Sequence, residues 1–134
     1  MNRVLTCSSI TFLIPAVLAS IYYQPFFAVV SVITSIVSVN YWRDPVPGIR
    51  KTTDLVVAKL SFSLYFSALV VKLQWNSLYC LCLCTNTTLL VLCYALSCWV
   101  SELSPPQNKN WVYFHFCFHL LVTINQCMVI VLYL

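Results

Sequence analysis

Two histidines, an aspartate and a serine are the residues of this chain whose types and spacing can support chemistry. His115 and His119 are its only histidines, and they lie four residues apart. On a helix this spacing puts both imidazoles on one face, about 6 Å apart along the axis, where they can bind one metal ion. Asp54 and Ser38 are polar residues in stretches that are otherwise apolar. These four are therefore the candidate site residues.

The composition indicates what kind of protein holds these four side chains in place. Apolar residues make up 61% of the 134 residues and charged residues 7%, and the mean hydropathy is +0.89. A soluble domain carries roughly 25% charged residues. Seven basic and three acidic side chains cannot cover the surface of a soluble domain of this size. The composition therefore predicts one integral-membrane domain, residues 1–134.

Long apolar stretches divide this domain into membrane spans. They are about 18 to 25 residues long, the length that a helix needs to cross a bilayer, whereas a barrel would show shorter, alternating segments. We expect an all-α, polytopic transmembrane helix bundle, with Thr53 or Asp54 capping the third helix. Polar residues at 43–51, 74–76 and 101–110 supply the connections. The five predicted helices cover residues 5–23, 25–42, 53–73, 77–100 and 111–134.

The basic residues predict how the chain is oriented in the membrane. Five spans put the two ends on opposite sides. One side carries five basic residues and the other only Lys72; the five are Arg3, Arg43, Arg50, Lys51 and Lys109. Cytoplasmic loops are enriched in Lys and Arg, so we expect a cytoplasmic N-terminus. A signal peptide cleaved near Ala19 is the alternative for the first span, and it would leave four helices.

Polar and small residues recur at helical spacing in three of the predicted helices. We call these sets the polar stripes, and they comprise Ser31, Thr34, Ser35, Ser38 and Trp42; Asp54, Ala58, Ser61, Tyr65 and Ala68; and His115, His119, Thr123 and Gln126. Such residues usually face protein rather than lipid. Each polar stripe is therefore expected to face the inside of the bundle, and for the Ser and Thr positions helix packing is the simplest explanation.

The predicted topology brings the candidate residues together. The second helix ends, and the third and fifth helices begin, on the same side of the membrane. Ser38, Trp42, Asp54, His115 and His119 therefore lie within about 12 Å of that side. The imidazoles are expected to point into the bundle toward Asp54 and Ser38.

This arrangement resembles the alkaline ceramidase and adiponectin-receptor group of seven-helix membrane hydrolases. Ser38-Val39-Asn40-Tyr41-Trp42 matches the end of the second helix of that group, Asp54 its aspartate, and His115-Phe116-Cys117-Phe118-His119 its last pair of histidines. The resemblance covers roughly residues 38–54 and 111–126. It implies zinc as the cofactor, His115 and His119 as metal ligands, and Ser38 and Asp54 as the catalytic groups that hold the zinc-bound water for attack on a lipid amide.

The chain also departs from that group. It has five predicted helices instead of seven, and Trp42 occupies the position of the third histidine ligand. Catalytic zinc normally has three protein ligands, so either Asp54 becomes the third ligand or the site has lost its metal. The sequence leaves two classes open: a divergent lipid hydrolase, or a non-catalytic protein, either an inactive relative or an accessory subunit of a membrane complex. Membrane lipids are the expected partners, with other membrane subunits as the alternative for an accessory role. A charge of +4 located mainly in loops does not indicate nucleic-acid binding.

Overall fold

The computed structural model describes residues 3–72, 77–103 and 110–133, and these residues form six helices and no β-strand. The segment Arg3–Ile21 is long and apolar enough to cross a membrane, and so is each of the four later helices, which gives five candidate spans. The predicted all-α bundle is therefore confirmed. The helices are α1 Arg3–Ile10, α2 Leu13–Ile21, α3 Pro25–Arg43, α4 Ile49–Lys72, α5 Ser77–Leu103 and α6 Trp111–Leu132.

Two predicted helix boundaries were wrong. Helix α4 begins at Ile49, so Thr53 and Asp54 lie inside the helix and do not cap it. The Thr53 hydroxyl instead donates to the Ile49 carbonyl oxygen at 2.8 Å, a bond within the first turn. Helix α5 continues to Leu103, three residues beyond its predicted end. The predicted turn at 74–76 and most of the 101–110 loop, with Lys109, lie outside the described residues.

The first span is broken between α1 and α2, which the sequence reading missed. Pro15 lies near the start of α2. Its ring has no N–H and clashes with the carbonyl of the residue four positions before it, so a regular helix cannot continue through this point. The backbone turns at Thr11 and Phe12, where the Ile14 N–H donates to the Thr11 carbonyl oxygen at 2.9 Å. This break lets α1 and α2 pack separately on α3 and on α6.

The bundle has an apolar cluster toward each end and a polar layer between them. Near the start of the chain Leu5, Trp42 and Val112 form the smaller cluster. The larger cluster brings together the ends of α2, α4 and α6 with the beginnings of α3 and α5, through Ala19, Phe27, Tyr65, Leu69, Leu83, Val129 and Ile130. The polar side chains of the layer therefore lie between two apolar clusters.

The polar stripes face the inside of this bundle, as predicted. On α3 every member of the polar stripe is buried. Ser31 shares a hydrogen bond with the Tyr65 hydroxyl of α4 at 2.8 Å, and Ser35 donates to the Ser9 carbonyl oxygen of α1 at 3.0 Å. On α6, His119, Thr123 and Gln126 are buried. These contacts join helices across the bundle, which is the packing role expected of hydroxyl-bearing stripes.

Candidate functional site

His119 is buried in the polar layer and is bound to α1. Its Nδ1 lies 2.8 Å from the Ser8 hydroxyl oxygen, and its ring packs against Phe12 with 5.1 Å between ring centroids. Only 3% of the side chain is exposed. The sequence places His119 on the inner face of α6, and the break in the first span brings Ser8 and Phe12 against it.

His115 lies one turn before His119 and is held from the opposite side. Its Nδ1 is 3.0 Å from the Ser97 hydroxyl oxygen of α5, and its ring centroid is 4.9 Å from that of His119. The planes of the two imidazoles are inclined by 66°. The pair is therefore fixed by hydroxyl groups from two different helices, α1 and α5, which the spacing on α6 alone does not reveal.

Trp42 fills the space beside both histidines. Its ring centroid is 4.9 Å from that of His115 and 6.3 Å from that of His119. The indole is buried, and Nε1 is enclosed without a hydrogen-bond partner in the described part of the chain. Because an indole has no nitrogen lone pair available to a metal, Trp42 cannot act as a metal ligand beside the two histidines.

Ser38 and Asp54 lie next to each other across the α3–α4 contact. Ser38 is buried, and its hydroxyl shares a hydrogen bond of 3.0 Å with the Ser9 hydroxyl. The same Ser38 hydroxyl lies beside the carboxyl group of Asp54, which is half-buried. Among the described residues the only ion pair joins Arg50 and Asp44 at the helix ends, so no basic side chain neutralises Asp54 within 4.0 Å.

All four predicted site residues line one cavity of about 440 Å³. His115 and His119 reach it from α6, Ser38 from α3 and Asp54 from α4. The rest of the lining is mainly apolar. The structure thus brings together the residues that the sequence singled out, although their chemical roles stay predictions.

The cavity opens sideways, between α4 and α5. These helices follow each other in the chain but make no extensive contact, whereas α4 packs on α3 and α5 packs on α6. The exposed lining side chains all belong to α4 and α5: Leu55, Lys59, Phe62, Ser63, Val91 and Tyr94. In a membrane, such an opening faces lipid.

The described residues do not supply the ligand set of a catalytic zinc ion. No three His, Cys, Asp or Glu side chains within residues 3–72, 77–103 and 110–133 are grouped so that they can hold one metal ion. The two imidazoles are the only nitrogen ligands, and Trp42 adds none. Three protein ligands with water in the fourth position are the usual catalytic arrangement. Zinc binding therefore stays a prediction, and the metal-binding groups of these residues do not favour it.

Several residues of the site were missed by the sequence reading. Ser8 and Ser97 hold the histidines, and Lys59 and the buried Gln126 line the cavity without being assigned a role there. The sequence does point to Lys59 and Gln126 as candidates, because each is a polar residue in an apolar span. It gives no such indication for Ser8 and Ser97, since helical periodicity does not identify which helices become neighbours.

Comparison of the chain with protein-family models, curated proteins and solved structures gives no match. The resemblance to membrane hydrolases therefore depends on the short motifs within residues 38–54 and 111–126 alone.

Proposed function

We propose that this is a multi-pass membrane protein that binds a lipid in the cavity between α4, α5 and α6. We further propose that it is a relative of the ceramidase and adiponectin-receptor hydrolases without hydrolytic activity. The polar group of the lipid lies at the end with His115, His119, Asp54 and Ser38. Its acyl chain lies against the apolar lining and leaves between α4 and α5.

One observation carries this proposal: a single cavity joins the polar cluster to an opening that faces lipid. Cavities that bind small molecules are typically apolar, with a few polar groups that orient the ligand. Ionisable residues inside a span are costly, and they usually serve a function. Here apolar side chains form most of the lining, and polar groups are set among them, including the four candidate residues and the hydrogen-bonded pair of Ser61 and Gln126. An amphipathic molecule matches that distribution.

The loss of hydrolytic activity is inferred from Trp42. The resemblance puts a metal-binding histidine at this position, whereas the indole packs against both remaining histidines. Without a third ligand the proposed site has no means to activate water on zinc. Lipid binding is retained because Trp42 does not line the cavity.

The test is photolabelling of the purified protein with a long-chain alcohol that carries a diazirine in its chain. Labelled peptides are expected from α4, α5 and α6. Ala58 lines the cavity and is half-buried. Ala58→Trp should fill the cavity and reduce labelling by about tenfold, equivalent to about 1.4 kcal/mol of binding free energy. Ser67→Trp is the matched control, since Ser67 is exposed on the same helix and outside the cavity.

Equal labelling of Ala58→Trp and the native protein would contradict lipid binding in this cavity and favour an accessory role in a membrane complex. Release of fatty acid from a lipid amide by the native protein, abolished by a chelator, would contradict the loss of hydrolytic activity.

A further inference from the structure

The hydroxyl group of Ser8 takes part in two hydrogen bonds but has one proton. It lies 3.0 Å from the Leu5 carbonyl oxygen and 2.8 Å from Nδ1 of His119. A carbonyl oxygen can only accept, so the Ser8 proton must point to Leu5 if that bond is to form. The Ser8 oxygen then accepts a proton from Nδ1. Both bonds are satisfied only when Nδ1 of His119 carries the hydrogen.

This arrangement determines what His119 presents to the cavity. In a neutral imidazole one nitrogen donates and the other accepts, and the partner of one nitrogen sets the state of the other. With hydrogen on Nδ1, Nε2 carries the lone pair. It has no protein partner among the described residues, and His119 lines the cavity. By contrast, the Ser97 hydroxyl makes no second hydrogen bond in the described structure, so His115 is not restricted in the same way.

We propose that Ser8 is a positioning residue that holds His119 as the Nδ1–H tautomer and presents the Nε2 lone pair to the bound lipid. This inference deepens the proposed function and depends on it for the ligand. The Asp54 carboxyl group beside the same cavity also offers acceptor oxygens. Around Nε2 of His119 and the Asp54 carboxyl group, the cavity therefore favours a lipid whose polar group donates hydrogen bonds, through O–H or N–H, over one that only accepts them.

Nitrogen-15 NMR of the purified protein tests the tautomer without any ligand. The chain has two histidines, so labelled His115→Gln protein reports on His119 alone. We expect a protonated Nδ1 and an unprotonated Nε2. Ser8→Ala should move the hydrogen to Nε2, and Ser8→Thr should restore the native pattern because it keeps the hydroxyl.

Ser9→Ala is the matched control for this experiment. Ser9 is buried in the same turn and also donates to the Leu5 carbonyl oxygen, at 2.8 Å, but its other partner is Ser38. The His119 spectrum should therefore stay native in Ser9→Ala. A native His119 with hydrogen on Nε2, or on both nitrogens, would overturn the proposal, as would an unchanged spectrum in Ser8→Ala.

The ligand class is tested with hexadecanol and its methyl ether, which share a chain and an oxygen but differ in the O–H donor. The alcohol should bind about three- to tenfold more tightly, the range that one net hydrogen bond supplies. Ser8→Ala should remove this preference. Equal binding of both compounds would overturn the selection for donors. Binding of neither would contradict the proposed function, while the NMR result would still decide the role of Ser8.

Discussion

At the scale of single residues, the side chain at position 42 decides whether the histidine pair can form a metal site with three nitrogen ligands. It lies where the resemblance puts a histidine, and its ring contacts both imidazoles of the pair. Its own N–H is buried without a partner among the described residues. A histidine here would direct a third imidazole toward His115 and His119.

We predict that the native protein binds zinc weakly and that Trp42→His raises zinc binding to roughly one ion per chain by completing three nitrogen ligands. Elemental analysis after washing with a chelator measures this. Trp99→His is the control, because Trp99 is exposed on α5 and lies away from the cavity. It should bind no more zinc than the native protein.

Stoichiometric zinc in the native protein would contradict this prediction and make Asp54 the third ligand. Absence of zinc from the native protein and from Trp42→His alike would mean that the resemblance is accidental and that the histidines serve packing.

At the scale of helices, polar side chains connect elements that otherwise meet through apolar surfaces. Helices α5 and α6 form the most extensive pair. The Asn86 side-chain amide donates to the Leu121 carbonyl oxygen at 3.2 Å, and the Asn125 side chain donates to the Thr87 hydroxyl at 3.2 Å. Both bonds cross this helix contact, which holds Ser97 against His115.

Asn86→Leu should therefore lower the free energy of unfolding by about 1 kcal/mol, the size typical of one hydrogen bond between membrane helices. Unfolding of the purified protein in mixed detergent measures the change. Thr88→Val is the matched control, since the exposed Thr88 hydroxyl bonds only within its own helix, to the Cys84 carbonyl oxygen. An equal loss in both variants would show that the bond to Leu121 does not stabilise the helix pair.

Sequence reasoning predicted the spans and their inner faces because lipid imposes simple rules. Apolar length identifies a span, and polar spacing identifies the face turned away from lipid. The same rules gave the convergence of Ser38, Asp54, His115 and His119 on one cavity. They did not give the break before Pro15, the early start of α4 or the partners of the histidines. Those features depend on local backbone geometry and on which helices become neighbours.

At the scale of the whole molecule, the charges are distributed unequally over the two sides of the bundle. Arg3, at the start of α1, and Arg43, at the end of α3, lie at the same end as the first turn of α4. Arg50 pairs with Asp44 at 3.4 Å, but both side chains are exposed. Acidic residues contribute little to membrane orientation, so Arg50 still counts toward a cytoplasmic side.

We predict a cytoplasmic N-terminus and a C-terminus on the opposite side, because five spans separate the ends and the basic residues gather on the first side. Green fluorescent protein fused at the N-terminus should fluoresce, and alkaline phosphatase fused at the C-terminus should be active, when the chain is expressed in a bacterial inner membrane. Replacing Arg43, Arg50 and Lys51 with Gln should give a mixture of orientations. Lys59→Gln, within α4, should leave the orientation unchanged.

Both ends on one side would mean that one of the five helices does not cross the membrane. A uniformly reversed orientation would place the histidine end of the cavity toward the outer side and contradict the cytoplasmic assignment.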